Sequence, residues 1–459
     1  MFKLRFLIFL MALIGLASGC ATVPNASEIT SKVPPGSKPA RIASAYGLLT
    51  PAQRDALMEH LNYSLDPTDV LERQAAVNEE VCGSMLISGN RIKLLVDGPE
   101  TYDAIFKAIK NAEQSINMET FIFEDDEMGR KLAELFLEKH AAGVQVNLIY
   151  DSVGSLNTPA SFFQRLRDRG INVVEFNPIN PLKAQKKWRV TLRDHRKILV
   201  VDGKLAITGG VNISHVYSSR FYGERGGEAQ FPWRDTDIQV EGPAVAELQK
   251  IFFRGWTRQK GPPLPEKEYF PKLKKAGTDL VQVVASKPGE SGRSTFIMYI
   301  SAVMFAEKSI HLTSSYFVPE KQMIKALRDA ASSGVEVKII VPQQSDEMMA
   351  IYAGRYYYDE LLEAGVRLYE RRNAILHAKT AVIDGVWSTV GSTNLDYLSF
   401  YNNFEVNTVI LGRDFAAEME KVFARDLEES EPISLEKWEK RPWTTRFREW
   451  WAHLFVRML

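Results

Sequence analysis

The sequence has few cysteines, no net charge and no apolar run long enough to cross a membrane. Its 459 residues include only two cysteines, so disulfides cannot support the fold, which must depend on apolar cores. Lysine and arginine together total 57 residues, and aspartate and glutamate together also total 57. This balance leaves no overall positive field to hold a polyanion such as DNA. The sequence also has no HExxH, CxxC or clustered histidine pair that would indicate a metal site. The remaining composition, 45% apolar and 25% charged, is typical of a globular protein of two or three domains.

Residues 1–20 have the three regions of a secretory signal peptide. Two basic residues precede an apolar run from Phe6 to Ala17, and its length of about twelve residues is short of the roughly 20 that a membrane span needs. The stretch LASGC resembles the bacterial lipobox, in which the cysteine is lipidated, although Ala17 stands where leucine is usual. We therefore predict a protein exported to the bacterial cell envelope and anchored to a membrane through lipidation of Cys20. A retained N-terminal anchor is the alternative.

Composition divides the rest of the chain into regions. Residues 21 to about 41 are rich in proline, serine and glycine, which predicts a flexible tether, and helices are expected between it and residue 85. Proline and lysine are frequent in residues 263–280, which predicts a linker between two larger regions, 86–262 and 281–430.

One nine-residue pattern occurs in each of the larger regions. Residues 195–203 read HRKILVVDG and residues 377–385 read HAKTAVIDG, so a histidine, a lysine and an aspartate recur at one spacing in a strand-like run. Residues two apart in a strand point to the same face, so each histidine shares a face with its lysine. Each copy is followed by a turn that ends in asparagine, GGVN at 209–212 and GSTN at 391–394. The chain therefore contains an internal duplication.

The duplication extends beyond this pattern and predicts an α/β fold. AEQSINMETFIF at 112–123 matches AEKSIHLTSSYF at 306–317, and AGVQVNLIYD at 142–151 matches SGVEVKIIVP at 333–342. Strands alternate with helical segments in both regions, which predicts a mixed, mostly parallel sheet flanked by helices in each.

The C-terminal tail, residues 431–459, ends in an amphipathic segment. Aromatic and aliphatic residues recur at helical spacing on one face from Phe447 to Met458, and arginines lie elsewhere. Two interpretations are open. The segment is either a helix packed on its own domain or a helix that lies in a membrane interface.

Two histidines that a pseudo-twofold axis brings face to face can share a displacement at phosphorus. One imidazole attacks the phosphorus atom while the other protonates the leaving oxygen. Four further polar side chains would hold the non-bridging oxygens and neutralise their charge: Lys197, Lys379, Asn212 and Asn394. This chemistry requires no metal and no other cofactor.

These residues resemble the signature of the phospholipase D superfamily, a duplicated HxKxxxxD followed by G-G/S-x-N. The resemblance covers about residues 86–430. Within the superfamily, WRDTDIQVEGPAV at 233–245, SSYFVP at 314–319 and GSTNLDYLSFYNNFEV at 391–406 are similar to the bacterial cardiolipin synthases. The resemblance implies two pseudo-twofold-related phospholipase D-like halves, one active site at their seam and a phosphohistidine intermediate.

The resemblance also implies roles for the site residues. His195 is expected to be the nucleophile, and His377 the general acid and then the base. Asp235 and Glu405 match acidic positions of the family, each of which orients the histidine of the opposite half, as the carboxylate of a catalytic triad does.

Two other groups of residues in the two halves are harder to assign. Asp202 and Asp384 belong to the catalytic motifs, but their place in a turn favours holding that turn and the neighbouring lysine. His215, Tyr217 and the glycine-rich loop at 222–230 either border the cleft or form a surface loop.

The implied activity is the synthesis of cardiolipin from two molecules of phosphatidylglycerol, with release of glycerol. Phosphatidylglycerol and membrane phospholipids are the expected partners, and no nucleic acid is expected. Hydrolysis of phospholipids is the alternative activity, followed by cleavage of nucleic acid phosphodiesters and by a non-catalytic scaffold that binds anionic lipid. Well-known relatives begin with two transmembrane helices, whereas this chain begins with an export signal, so the membrane side and the acceptor alcohol stay open.

Overall fold

The computed structural model of the protein describes residues 25–34, 37–61, 69–180, 190–219, 223–225, 228–288 and 293–459. The predicted signal peptide and Cys20 lie outside these ranges. Among the helices in these ranges, none is both long and apolar enough to cross a membrane.

The N-terminal region packs on the second half of the chain. Its elements are α1 (Ala26–Ser31), β1 (Ile42–Ser44), β2 (Gly47–Leu48), α2 (Pro51–Leu61) and α3 (Asp69–Glu80). The prediction of a flexible tether is wrong for α1 and the residues after it, because Asn25 caps this helix and Ile29 and Val33 are buried in the core of the second half. Ala26 and Ile29, three apart, lie on one side of the helix and are both buried, so the helix packs on this core despite the surrounding prolines and serines.

The first half is a sheet flanked by helices. Its elements are β3 (Leu86–Val96), α4 (Asp97–Lys110), β4 (Ser115–Thr120), α5 (Glu127–Ala141), β5 (Gln145–Asp151), α6 (Ala160–Asp168), β6 (Asn172–Phe176), β7 (Arg193–Asp194), β8 (Ile198–Val201), β9 (Leu205–Gly209), β10 (Gly223–Arg225), β11 (Glu228–Gln230), β12 (Trp233–Arg234), β13 (Thr236–Glu241) and α7 (Val245–Arg258). The strands of its main sheet lie in the order β6-β5-β4-β8-β9-β13-β3.

The second half repeats the main sheet of the first half. Its elements are β14 (Asp279–Ser286), α8 (Ser294–Met304), β15 (Ser309–Ser314), α9 (Lys321–Ser332), β16 (Glu336–Pro342), α10 (Met348–Arg355), α11 (Tyr358–Glu363), β17 (Arg367–Arg371), β18 (Ile375–Leu376), β19 (Lys379–Ile383), β20 (Trp387–Gly391), α12 (Tyr397–Tyr401), β21 (Asn403–Leu411) and α13 (Arg413–Glu428). The order β17-β16-β15-β19-β20-β21-β14 matches that of the first half. The predicted α/β fold and the duplication are therefore confirmed. The predicted linker at 263–280 has no regular structure until β14 begins.

The sheets are mixed, as predicted, but parallel pairs are the minority. Among the described strands of the main sheet in the first half, only β4 with β5 and β5 with β6 run parallel, and the motif strand β8 is antiparallel to both of its neighbours. The reason is the turn after β8, where Asp202 and Gly203 both have positive φ. The short loop at 202–204 joins β8 and β9 as a hairpin, whose strands are necessarily antiparallel.

The two halves share a core and exchange short strands. β3 pairs with β14, and valines of both halves, Val200 and Val240 with Val382 and Val406, belong to one buried cluster. Two further pairings cross the seam, since β7 pairs with β21 and β12 with β18. The residues that follow β7 and β18 are therefore held against the opposite half.

The C-terminal tail forms β22 (Ser430–Pro432), α14 (Leu435–Glu439) and α15 (Trp443–His453). Helix α15 packs on α10, where Ala452 is buried with Ala350 and Ala353.

Candidate active site

Each motif histidine follows a strand that crosses the seam. The backbone N–H of His195 donates to the carbonyl oxygen of Phe404 at 3.0 Å, and that of His377 donates to the carbonyl oxygen of Arg234 at 2.8 Å. Each acceptor immediately precedes the predicted carboxylate of the opposite half. One backbone hydrogen bond therefore sets each histidine beside the acid assigned to it, and the same arrangement occurs twice.

Acceptors surround one nitrogen of the His195 ring. Its Nδ1 lies 3.1 Å from both carboxylate oxygens of Glu405 and 3.0 Å from the carbonyl oxygen of Ser392. Because all three oxygens accept, Nδ1 carries the ring proton, and the lone pair of the neutral ring is on Nε2. The hydroxyl of Ser392 donates to Glu405 at 2.5 Å and so fixes the carboxylate.

His377 has the equivalent pairing with the first half. Its Nδ1 lies 2.7 Å from Oδ2 of Asp235 and 3.4 Å from the hydroxyl of Tyr217. That hydroxyl also accepts from the side-chain amide of Asn212 at 3.0 Å. The structure thus brings both predicted carboxylates to the histidine of the opposite half, and it places Tyr217 in the site instead of on the surface.

Burial keeps both imidazoles neutral. The two side chains are 8% and 6% exposed, and desolvation lowers the pKa of His195 against the opposing effect of Glu405. Desolvation, with a further contribution from Lys379, lowers the pKa of His377 well below its usual value. Near pH 7 both rings are therefore available as nucleophile or base. An anionic phosphodiester beside them would favour their protonated forms.

The two motif lysines are buried close to the histidines. Nζ of Lys197 donates to the carbonyl oxygen of His195 at 2.6 Å, and Nζ of Lys379 donates to the hydroxyl of Ser315 at 2.8 Å and to the carbonyl oxygen of His377. Burial lowers the pKa of Lys197 to about 7 and that of Lys379 to about 8. The positive charge of Lys379 contributes to the lowered pKa of Lys197. A bound phosphate anion would stabilise the charged forms of both lysines.

The motif asparagines are also buried at this site. The side-chain oxygen of Asn212 accepts from the backbone N–H of Ile122 at 3.2 Å, and that of Asn394 accepts from the hydroxyl of Ser315 at 2.6 Å. Since protein donors occupy these oxygens, the amide nitrogens are the part of each side chain that suits a phosphate oxygen.

The motif aspartates lie at the other end of their strands. Asp202 accepts three backbone N–H bonds from residues 113–115 at 2.9, 2.7 and 2.9 Å, and Asp384 accepts three from residues 307–309 at 3.0, 2.7 and 2.9 Å. Seven residues of extended chain, roughly 20 Å, separate each from its histidine. Although both aspartates belong to the catalytic motifs, they lie away from the histidines and have a structural role, as their place in a turn favoured. They hold the start of β4 and β15, and backbone amides take the place of the lysine that was expected as their partner.

His215 belongs to a separate group near the start of α5. Its Nδ1 lies 2.7 Å from Asp126, which also accepts from the N–H of Gly129, and the hydroxyl of Ser214 donates to Glu124 at 2.5 Å. Glu124, Asp126 and His215 are close enough to hold a metal ion, but these bonds already account for them as a tie between a loop and the helix. The group contains neither motif histidine.

Sequence reasoning missed the groups that contact the lysines. The ring of Phe121 lies 5.3 Å from Nζ of Lys197 and 5.0 Å from the His195 ring, while Ser315 binds Lys379. Phe121 and Ser315 occupy equivalent positions in the repeat at 112–123 and 306–317. In an alignment of the two copies, both residues directly follow the strand that pairs with the motif strand, β4 in the first half and β15 in the second.

Comparisons with known proteins agree with this geometry. A family model described as cardiolipin synthase, phospholipase D-like domain, matches residues 105–252 and 299–427, one segment in each half. The cardiolipin synthase of a Geobacillus species is 36% identical over 362 residues, which are 78% of this chain and 70% of that protein. Cardiolipin synthase A of Pseudomonas fluorescens is 36% identical over 353 residues, 76% of this chain and 71% of that protein.

A solved structure shows the same fold. The crystal structure of phosphatidylserine synthase from Haemophilus influenzae aligns over 84% of this chain and all of that chain, with a TM-score of 0.61 and 14% identity. Because the family model matches both halves and the relatives align over most of the chain, the protein belongs to the cardiolipin synthase family of phospholipase D-like proteins.

Proposed function

We propose that the protein is a phosphatidyltransferase that makes cardiolipin from two molecules of phosphatidylglycerol. The observation that carries this proposal is the pair of buried histidines, each bonded through Nδ1 to a buried carboxylate of the opposite half. With two buried lysines beside them, these rings provide a nucleophile, a proton donor and cations for one phosphodiester.

The first step transfers a phosphatidyl group to the protein. The bound phosphodiester anion favours the protonated form of His377, which then carries a proton on each ring nitrogen. Nε2 of His195 attacks phosphorus, the bond between phosphorus and the glycerol oxygen breaks, and the Nε2 proton of His377 goes to that oxygen, which leaves the His377 ring neutral. The His195 ring becomes positively charged as it bonds to phosphorus. Both oxygens of Glu405 and the carbonyl oxygen of Ser392 are in place to stabilise that charge, whereas one carboxylate oxygen and one hydroxyl lie near Nδ1 of His377. This difference supports His195 as the nucleophile.

The second step uses the same groups in reverse. The neutral ring of His377 takes the proton from a hydroxyl of the second phosphatidylglycerol, its oxygen bonds to phosphorus, and the bond to His195 breaks. One phosphodiester is lost and one is formed, so the reaction should be readily reversible. If water attacked instead, the product would be phosphatidic acid.

Product analysis tests the proposal directly. Purified protein incubated with phosphatidylglycerol should release one glycerol for each cardiolipin formed, and added glycerol should drive the reaction backwards. The His195→Asn variant, which keeps a similar polar side chain, should form neither product. Phosphatidic acid as the main product would show that the protein is a hydrolase, and turnover by the variant would contradict the nucleophile assignment.

We also propose that the protein is exported and held at a membrane of the bacterial envelope by a lipid on Cys20. The support is the signal-like sequence of residues 1–20. Labelled palmitate should enter the wild-type protein in a bacterial host and should not enter a Cys20→Ser variant. A wild-type protein that takes up no label and keeps residues 1–20 would point to an uncleaved N-terminal anchor.

A further inference from the structure

Helix α15 presents an apolar face to solvent. Five large side chains are about half exposed or more: Trp443 75%, Phe447 53%, Trp450 47%, Trp451 46% and Leu454 58%. At about 100° of rotation per residue, these positions fall within one arc of about 100° around the helix. The exposure is therefore a continuous stripe along the helix and not a scatter of single residues.

The opposite face of α15 fixes the helix to the body of the protein. Glu449 is buried and accepts from Arg441 at 2.9 Å, Ala452 is fully buried, and the ring of His453 stacks on that of Tyr356 at 3.9 Å. With this face held, the apolar stripe points outward.

Two exposed arginines border the stripe. On the same wheel, Arg446 lies at one edge of the arc and Arg448 at the other. The one acidic residue of the helix, Glu449, faces inward. The surface is thus an apolar, tryptophan-rich strip with positive charge on both sides, which suits an anionic phospholipid interface. A second copy of the chain suits it less well, because a symmetric contact would gather the four arginines of two α15 helices, and the acid of each helix, Glu449, faces inward.

The helix lies close to the catalytic residues of the second half. Ala452 shares a buried cluster with Tyr316, whose ring centroid is 6.4 Å from that of His377. The chain that follows α15 also reaches this area, since the carbonyl oxygen of Leu459 accepts from the N–H of Leu398 in α12. This helix begins three residues after Asn394 of the second motif.

We propose that the exposed face of α15 is the surface through which the protein lies on an anionic phospholipid bilayer. Its tryptophans would sit among the head groups, its arginines would pair with lipid phosphates, and the active site would be held at the height from which lipid head groups enter. The choice of lipid rests on the proposed function, whereas the membrane contact can be measured apart from it.

Two readouts on the full-length protein test this surface. In the first, tryptophan fluorescence is recorded with vesicles of phosphatidylglycerol and phosphatidylcholine that carry brominated acyl chains, which quench inserted tryptophans. In the second, turnover of phosphatidylglycerol in vesicles is compared with turnover of a short-chain, monomeric phosphatidylglycerol. The test variant is Phe447→Ser with Trp451→Ser. Phe270→Ser is the control, because Phe270 is 50% exposed but lies in the linker.

The wild-type protein and the control should show quenching, and the double variant should lose it. The double variant should also turn over vesicle lipid about ten-fold more slowly or worse, with turnover of monomeric lipid unchanged. Equal quenching and equal vesicle turnover in all three proteins would overturn the proposal. It would also be overturned if the wild-type protein sedimented as a dimer and the double variant as a monomer that still binds vesicles. If the wild-type protein acts on neither vesicle nor monomeric lipid, the proposed function fails, and the quenching still decides the membrane contact.

Arg446→Gln with Arg448→Gln tests the charge separately. This variant should lose the preference for vesicles that contain phosphatidylglycerol over pure phosphatidylcholine, and its binding should respond less to salt. An unchanged preference would contradict an anionic partner.

Discussion

Replacing Glu405 with glutamine should slow the transfer of the phosphatidyl group to His195 by about a thousand-fold. The Glu405 side chain is fully buried, and both of its oxygens lie 3.1 Å from Nδ1 of His195. Once Nε2 bonds to phosphorus, the ring carries a positive charge. Unit charges about 4 Å apart at an effective dielectric constant of about 20 interact by about 4 kcal/mol, which is about 10³-fold in rate. Glutamine keeps the volume and an oxygen that can accept from Nδ1, so the charge is the main loss.

The measurement is the rate at which a covalent lipid adduct forms on His195 after rapid mixing with monomeric phosphatidylglycerol, followed by mass spectrometry. Glu449→Gln is the matched control, because Glu449 is also buried but pairs with Arg441 in the C-terminal tail. It should form the adduct at the wild-type rate. A loss below about ten-fold in Glu405→Gln, or about 1.4 kcal/mol, would refute the idea that this carboxylate stabilises the charged ring.

Three further outcomes follow from the structure. His377→Ala should slow glycerol release by about 10²–10⁴-fold yet hardly affect a nitrophenyl phosphodiester, whose leaving group needs no proton; equal losses would contradict the acid role. The kcat/KM for phosphatidylglycerol should fall as pH rises from about 7 to 9, because the charged forms of Lys197 and Lys379 are lost through their pKa values of about 7 and 8; a flat profile would exclude charged lysines as binding groups. Asp202→Ala should lower the free energy of unfolding, measured in urea, by about 2–4 kcal/mol, because three backbone N–H groups lose their acceptor. The kcat per folded molecule should be unchanged, and a parallel loss of kcat would show that Asp202 takes part in catalysis.

The duplication made much of the site predictable. Two copies of one pattern indicated two equivalent halves, and the carboxylates Asp235 and Glu405 could be assigned to opposite histidines through resemblance alone. The structure adds the local cause, a pair of backbone hydrogen bonds that the sequence does not display. The carbonyl oxygen of Ser392 is a similar case, because a main-chain acceptor leaves no trace in residue identity.

Other predictions failed where composition was used in place of contacts. Proline and serine suggested a tether in residues 21–41, but Ile29 and Val33 bury α1 on the second half. Strand and helix alternation suggested mostly parallel sheets, but the turn after β8 makes a hairpin. A structural role was expected for Asp202, but the neighbouring lysine was the wrong partner, because the folded chain shows that Asp202 accepts from backbone amides.

The exchange of short strands across the seam has a consequence for how such a protein could arise. Each half alone would present a histidine without its acid, so an ancestor with one copy of the repeat needed to dimerise before it could act. In that dimer every substitution would appear on both sides. Fusion into one chain lifted this restriction, as the phenylalanine and serine now found at the equivalent positions 121 and 315 illustrate. Only in such a fused chain could selection give the two histidines different catalytic roles.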